Sequence, residues 1–457
     1  MKALVIYPVV EDDRGGRAPV AFRAANMVTS YLAALFPPDV EVDVLDEYVE
    51  PMRFDVDADL IAISVLTPTA HYSYGIAKQF RDQGRTVIAG GIHPSVFPEE
   101  AAKHFDAVVV GEGEEVIAQL VRDFEHGQLK KYYHAPRLAD LDNIPTPRWD
   151  LLKGRRYIIP RAVFATRGCP YRCSFCSIHL AQGRGFRKRP LRRIVEEIER
   201  IDSKRFLFWD DNLTADQHYA MELFQEIAPL KKIWTSQTDF NVTQNEALLK
   251  AAKNSGCVGF FIGIESISAA SLSGVRKSFN IVEKYRDAIQ RMHDHGLSLG
   301  AGMVVGFDSD TRNIFEQTLE FADRVHLDAA YFKMLTPYPG TDAFAELEQQ
   351  GRILTHDWSR YLSHKEVVFK PALMEPEELK AGFHWLTRSF YSIRSMTKRL
   401  CGAHCGWGVL GSLPVNIGHW LFYYFLDAQH GYNPAGTPPM LHSMPAEREN
   451  VTAGEVL

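Results

Sequence analysis

Five short β-branched runs punctuate the first third of the chain: KALVIYPVV, VEVDVLD, LIAISVL, TVIAGG and AVVVGEG. Longer amphipathic stretches, such as VAFRAANMVTSYLAAL and YSYGIAKQFRDQ, lie between them. Strands separated by helices connect by crossovers rather than hairpins, so the pattern predicts a parallel, doubly wound, Rossmann-like sheet. Its ligand is expected beyond the carboxyl ends of the strands. The loops at those ends are LTPTAHYSY (66–74), GGIHPS (90–95) and GEGEE (111–115). They make Thr67, Thr69, His71, Gly90, Gly91, His93, Gly111, Glu112 and Gly113 candidate ligand contacts, the glycines allowing the backbone to approach a bulky group. The first strand is not followed by GxGxxG, which weakens a dinucleotide reading. His71 and His93 are each either a ligand or a hydrogen-bonding surface residue.

A stretch with Pro145, Pro147 and Pro160 interrupts the pattern, because proline disfavours helix and sheet alike. Alternation then resumes with RAVFATR, RFLFWDD, KIWTSQT, VGFFIGIES, LGAGMVVGF and AAYFKMLTPY. Six strand–helix units suit a partial TIM barrel, with polar site residues at the carboxyl ends of its strands. After Gly340 the pattern turns helical. The expected division is an α/β domain over 1–135, a linker over 136–156, a partial (β/α)6 barrel over 157–343, and a mainly helical extension over 344–457. The extension reads as a lid or substrate domain with a loose tail. Its aromatic WLFYYF run is either helix core or a lipid-binding surface.

RGCPYRCSFCSIH (167–179) places Cys169, Cys173 and Cys176, half of the six cysteines, within eight residues. A structural zinc site wants four closed ligands, usually two pairs, and no second pair lies at the usual distance; the CGAHC pair, Cys401 and Cys405, is weak evidence for metal. Disulfides are not expected either: six cysteines in 457 residues, with no basic-then-apolar leader behind MKALVIYPVV, read as a reduced cytoplasmic protein. Three thiolates on one loop suit a cubane iron–sulfur cluster with one iron left open.

The CxxxCxxC spacing, with Phe175 before the last cysteine, resembles the signature of the radical S-adenosylmethionine (SAM) superfamily. The resemblance implies a [4Fe-4S] cluster on Cys169, Cys173 and Cys176 whose open iron chelates SAM. Reductive cleavage of SAM then gives a 5′-deoxyadenosyl radical, and a donor such as flavodoxin or ferredoxin supplies the electron. GGIHPSVFPEE and VGEGE resemble the cobalamin-binding domain that precedes the barrel in one large subgroup. The DxHxxG that supplies a cobalt-binding histidine in many methyl-transfer proteins is missing; VVEDDRGG follows the first strand, so cobalamin is expected base-off without that histidine. GRILTHDW and VVFKPALMEPEEL resemble the branch that includes hopanoid C2-methylases.

Further site residues follow from the same resemblance. WDDN (209–212) replaces the usual GGE-like motif, so Asp210 or Asp211 holds the SAM ammonium or caps the next helix; Asn212 and, near the end of the third strand, Gln237 join the cofactor-binding candidates. Glu265 of GIES is a ligand to SAM or substrate, or an ion-pair partner. Gly302 and Gly306 leave room for adenine, or mark a core strand. Pro337 of LTPYPGT belongs to the sixth-strand motif, or only to a turn.

The leading function is therefore methylation of an unactivated carbon in a biosynthetic intermediate. The alternatives are a radical cyclisation or rearrangement with the same cofactors, or a non-catalytic corrinoid-binding protein. A methylthiotransferase is excluded because residues 1–168 contain no cysteine for its second triad. A net charge of −6 gives no reason to expect nucleic acid, and no apolar run reaches the roughly eighteen residues of a membrane span. The basic run GRGFRKRPLRR (183–193) reads either as a solvated surface loop or as a counter-charge to the cluster or an acidic substrate.

Overall fold

Ala3, Leu4, Val5 and Ile6 are all buried in β1 (Lys2–Tyr7), as a central parallel strand covered on both faces requires. The computed structural model describes residues 1–10, 24–136, 138–402, 412–413 and 415–421. Around β1 stand β2 (Glu41–Asp46), β3 (Leu60–Ser64), β4 (Thr86–Gly90), β5 (Ala107–Val110) and β6 (Tyr132–His134). Their order is β2-β1-β3-β4-β5-β6, every pair parallel. The five expected strands are present; β6, three residues long, has too little pattern to read. The direction of winding reverses between β1 and β3, which puts a ligand crevice at their carboxyl ends.

The intervening helices bury one stripe each. In Ala70–Asp82 the buried residues are Ala70, Ser73, Tyr74, Ile76, Ala77 and Phe80, while Lys78 and Asp82 pair on the wet face. Helix Met27–Ala34 starts where the Asn26 side chain accepts from Val28 N. Residues 11–23, Cys405 and the aromatic run beyond Leu421 lie outside the described residues.

The second sheet contains β7 (Ala162–Val163), β10 (Arg205–Phe208), β11 (Ile233–Thr238), β12 (Cys257–Glu265), β13 (Ser298–Val305) and β14 (Ala329–Met334). They pair in chain order, all parallel, with β7 and β14 as edges, so the barrel is open. Its outer core centres on Trp234, which packs edge-on to Phe208 and Phe260 and donates Nε1–H to Ser255 O. An antiparallel ribbon absent from the sequence reading, β8 (Thr166–Cys169) with β9 (Gly185–Lys188), stands after β7. It absorbs part of the basic run: Arg187 lies on β9, and Arg189 is buried against Glu197.

The extension has two parts. Residues 353–369 form a strap on the first domain, where Trp358, Tyr361 and Val368 share a core with Phe80 and Phe105. Helix Pro376–Phe390 instead packs on helix Ile314–Arg324, so closely that a Cβ on Gly382 would lie 2.2 Å from the Phe315 ring. Arg399, fully buried over the Phe390 ring, donates to Leu327 O and Phe390 O and fastens the following helix. Among the described residues no helix is long and apolar enough to cross a membrane.

Candidate functional site

The ribbon delivers the first cysteine. Gly168 has φ +81°, and a Cβ there would lie 2.2 Å from Gly185 O, so glycine is required for β8 to approach β9. Cys169 ends β8, and the loop beyond it is pinned from two sides: Ser174 N donates to Val275 O, and Ala343 N donates to Ser174 O. Cys176 N closes a turn onto Cys173 O. Tyr171 stacks on Phe279 at 3.8 Å and accepts from Asn241 Nδ2.

The three free thiols line one cavity of about 160 Å³ at the barrel mouth. Among the described residues no three metal-ligand side chains converge on a single ion; thiols spread around a wall suit a cluster of several irons. Burial raises the thiols of Cys169 and Cys173 and pushes Cys176 up to about 12, while Lys277 pulls each the other way. A thiolate in so dry a place needs positive charge beside it, which bound iron supplies. Asn212 Nδ2 donates to Cys169 Sγ at 3.7 Å and to Asp239 Oδ2 at 2.7 Å. Residues and cavity therefore fit the expected cluster.

The cavity wall also carries Asp211, Asn212, Gln237, Asp239, Glu265 and Lys277. Glu265 ends β12 in a left-handed conformation, φ +65°, a strained state for a side chain of its size. Its Oε1 accepts from Lys277 Nζ at 3.0 Å, both side chains mostly buried. Burial opposes the charge on Lys277, but Glu265 and the thiols outweigh it and hold the ammonium above its usual value. Glu265 is thus both a wall residue and an ion-pair partner, two readings the sequence kept apart.

The aspartate pair divides. Asp211 faces the cavity, its carboxyl raised by burial. Asp210 turns away: fully buried, it accepts from Ala165 N, Thr166 N and Thr166 Oγ1 and ties β10 to the start of the ribbon. Burial pushes it up to about 7 against those hydrogen bonds. Gly302 lies on the inner face beneath Phe261, where a Cβ would sit 3.0 Å from the ring. Gly306, with φ +99°, packs against Leu379 and donates to Asp310, away from the cavity. Pro337 is buried in the irregular segment after β14, ahead of the turn at Pro339 and Gly340.

The first domain presents its strand ends to this mouth. Helix Ile92–Val96, after β4, packs on helix Ile178–Gln182, which follows the cysteines. Gly90 and Gly91 lie at that strand end; at Gly91, φ +109°, a Cβ would meet Val65 O at 2.7 Å. Gly111 also has positive φ, and Gly113 opens the following turn. Thr67 and Thr69 are buried at the end of β3, beside the crevice, and Thr69 Oγ1 is used by Leu66 N and O. These glycines and the β1/β3 crevice fit a bulky planar cofactor.

Three loop residues face elsewhere. His71 pairs with Asp357 of the strap. His93 is fully buried, Nε2 3.0 Å from Tyr74 Oη and 3.5 Å from Glu100, and burial lowers its pKa. Glu112 accepts from Ala139 N, Arg167 and Arg187. Both histidines thus have protein partners in this structure.

Lys277, Asp239, Tyr171 and Phe279 escaped the sequence reading. Asp239 had a signal, since it follows β11 directly as Asp210 and Asp211 follow β10; Lys277 had none, lying twelve positions after Glu265 outside any strand end.

Residues 163–322 match the radical SAM superfamily and residues 19–121 the B12 binding domain. Bacteriochlorophyllide d C-12(1)-methyltransferase of Chlorobaculum tepidum is 30% identical over 359 residues, covering 76% of this chain and 78% of that protein. Hopanoid C-2 methylase of Rhodopseudomonas palustris is 23% identical, covering 79% and 71%. Among solved structures, the radical S-adenosylmethionine methyltransferase TsrM from Kitasatospora setae, with tryptophan substrate and a SAM analog bound, superposes with a TM-score of 0.62. It shares 15% identity, with 94% of this chain and 99% of that one covered, a likeness of fold.

Proposed function

Because the chain belongs to the cobalamin-binding radical SAM enzymes, we propose that it methylates an unactivated carbon of a small-molecule biosynthetic intermediate. Its cofactors are a [4Fe-4S] cluster, SAM and cobalamin. When bound, they supply hydrogen abstraction from carbon and a methyl donor. The observation that carries the reading is the apposition of the thiol cavity with the strand ends of the first domain, joined through helices Ile92–Val96 and Ile178–Gln182. One substrate carbon then has access to both chemistries.

Within that frame the chain's residues have separate tasks. Cys169, Cys173 and Cys176 hold the cluster and leave one position open. Asp211 and Glu265 offer carboxylates, and Lys277 an ammonium, to the amino and carboxylate groups of SAM. Phe261 and Tyr331, edge to face at 5.4 Å on the inner face of β12 and β14, give the lumen an apolar wall that excludes water from a reactive carbon. The partner that would supply the cluster's electron is an external one-electron donor of the flavodoxin or ferredoxin kind.

The test uses extracts of a strain lacking the gene, which hold the unmethylated precursor. Reduced, anaerobically reconstituted protein and methyl-labelled SAM are added. Label is expected in one compound absent from the strain, with one S-adenosylhomocysteine and one 5′-deoxyadenosine formed per product. Formation of 5′-deoxyadenosine without S-adenosylhomocysteine, beside an unlabelled new product, would instead establish cyclisation or rearrangement.

A further inference from the structure

Arg167 and Arg187 are direct cross-strand partners on the ribbon that ends in Cys169. Like charges opposite one another destabilise an antiparallel pair, and these side chains are only 12% and 20% exposed. Among the described residues, their ion-pair partners are two carboxylates, both from the first domain. Glu112, 4% exposed, accepts from Arg167 at 3.1 Å and from Arg187 at 2.6 and 3.0 Å; Glu114 accepts from Arg167 at 2.6 Å and from Tyr31 Oη. Arg167 is also held between the Phe164 and Tyr31 rings, at 4.8 and 5.2 Å. The remaining Arg187 donors reach Ala139 O and Gln182 O, so the same guanidinium touches the linker and the end of the cysteine-loop helix. Arg167 is two residues before Cys169, and its charge reaches Asp211 on the cavity wall.

We propose that Glu112 is a positioning residue for the iron–sulfur cluster: from the cobalamin-binding domain, it bridges Arg167 and Arg187, completes with Glu114 the neutralisation of that pair, and thereby sets the place of Cys169 and Asp211. This rests on the cofactor assignment above but not on methyl transfer, so the experiment uses readouts that need no substrate. The forked acceptance explains why glutamate stands at the tip of the β5 turn. One carboxylate satisfies two guanidinium groups and the Ala139 amide at once, and a neutral amide there would leave Glu114 alone to balance two buried cations, with Arg187 lacking a carboxylate. The cluster ribbon is electrostatically complete only when the first domain is docked against it.

Full-length protein and its E112Q, R187Q and E112Q/R187Q variants are reconstituted anaerobically with iron, sulfide and hydroxocobalamin. Iron content, cobalamin absorption, the electron paramagnetic resonance spectrum of the reduced cluster with and without SAM, and 5′-deoxyadenosine formation are measured. E112Q is expected to bind cobalamin normally but to show an altered spectral response to SAM, with SAM cleavage reduced about ten- to a hundredfold, the effect typical of residues that orient cluster or metal ligands. The double variant should be no worse than the poorer single one, since both substitutions break one unit. A native spectrum and native cleavage in E112Q, additive losses, or loss of cobalamin with an unaltered cluster would each overturn the proposal. Should E112Q not fold, R187Q decides alone: it breaks the bridge by removing the Arg187 contacts to Glu112 at 2.6 and 3.0 Å, and a native spectral response there rejects the assignment.

Discussion

The side-chain amide of Asn212 is shared between Cys169 Sγ, at 3.7 Å, and Asp239 Oδ2, at 2.7 Å, so the end of β10 touches the first thiol of the triad. Asn212 is itself held, since its Oδ1 accepts from Asp239 N and Thr238 Oγ1. A donor aimed at a cluster sulfur stabilises the more negative, reduced state. Replacing Asn212 with Leu should therefore lower the midpoint potential of the cluster, read by potentiometric titration of its paramagnetic signal. An unchanged potential would show that the amide serves only Asp239.

The five described cysteines fall into classes by place. Ala at Cys169, Cys173 or Cys176 should abolish the cluster chromophore and SAM cleavage. Ala at Cys257, buried in β12, or at the exposed Cys401 should leave both intact. A dispensable triad cysteine would refute the ligand assignment.

The two adjacent aspartates should separate experimentally. Asp210→Ala orphans the amides of Ala165 and Thr166 and a hydroxyl, at roughly 1–3 kcal/mol for each buried group left unsatisfied, so calorimetry should record a large fall in melting temperature. Asp211→Asn should weaken SAM binding with a smaller thermal effect. The reverse ranking would exchange their roles.

Burial, helped by the charges of Arg388 and Lys380, lowers His384 to about 4. Between that value and the ordinary histidine value of about 6.5, the unfolded chain binds a proton that the folded one refuses. This histidine therefore costs stability progressively as pH falls through that window. The native protein should lose more melting temperature on acidification from about pH 7 to about pH 5 than H384Q does; parallel curves would exclude the linkage.

The elements legible in the sequence are those whose side chains report their own burial. LIAISVL is apolar on both faces and becomes β3, and the cysteine spacing is a local chemical demand met within one loop. The ribbon was hidden because TRGC and GFRK have neither alternation nor β-branched density; it exists because two glycines allow close approach and a distant glutamate compensates its charges. Glu112 and His93 stand on loops where ligands are expected, yet neighbours brought up by folding claim them: Arg187, distant in the chain, for the first, and Tyr74 and Glu100 for the second. No local pattern encodes such a partner. Lys277 is hidden for the same reason, since only folding brings it to Glu265.

The strap has a consequence for how the protein is made. Trp358 donates to Glu100 across 258 positions of chain and fills a core built largely from residues before 110. At roughly 5–20 residues per second, the ribosome delivers that indole on the order of ten to fifty seconds after its acceptor has emerged. Throughout that interval the nascent first domain carries an apolar face, around Phe80 and Phe105, that in the folded protein its own later sequence covers. Synthesis thus opens a window in which this face stands uncovered, and a message truncated before codon 358 should yield a first domain with an exposed apolar surface.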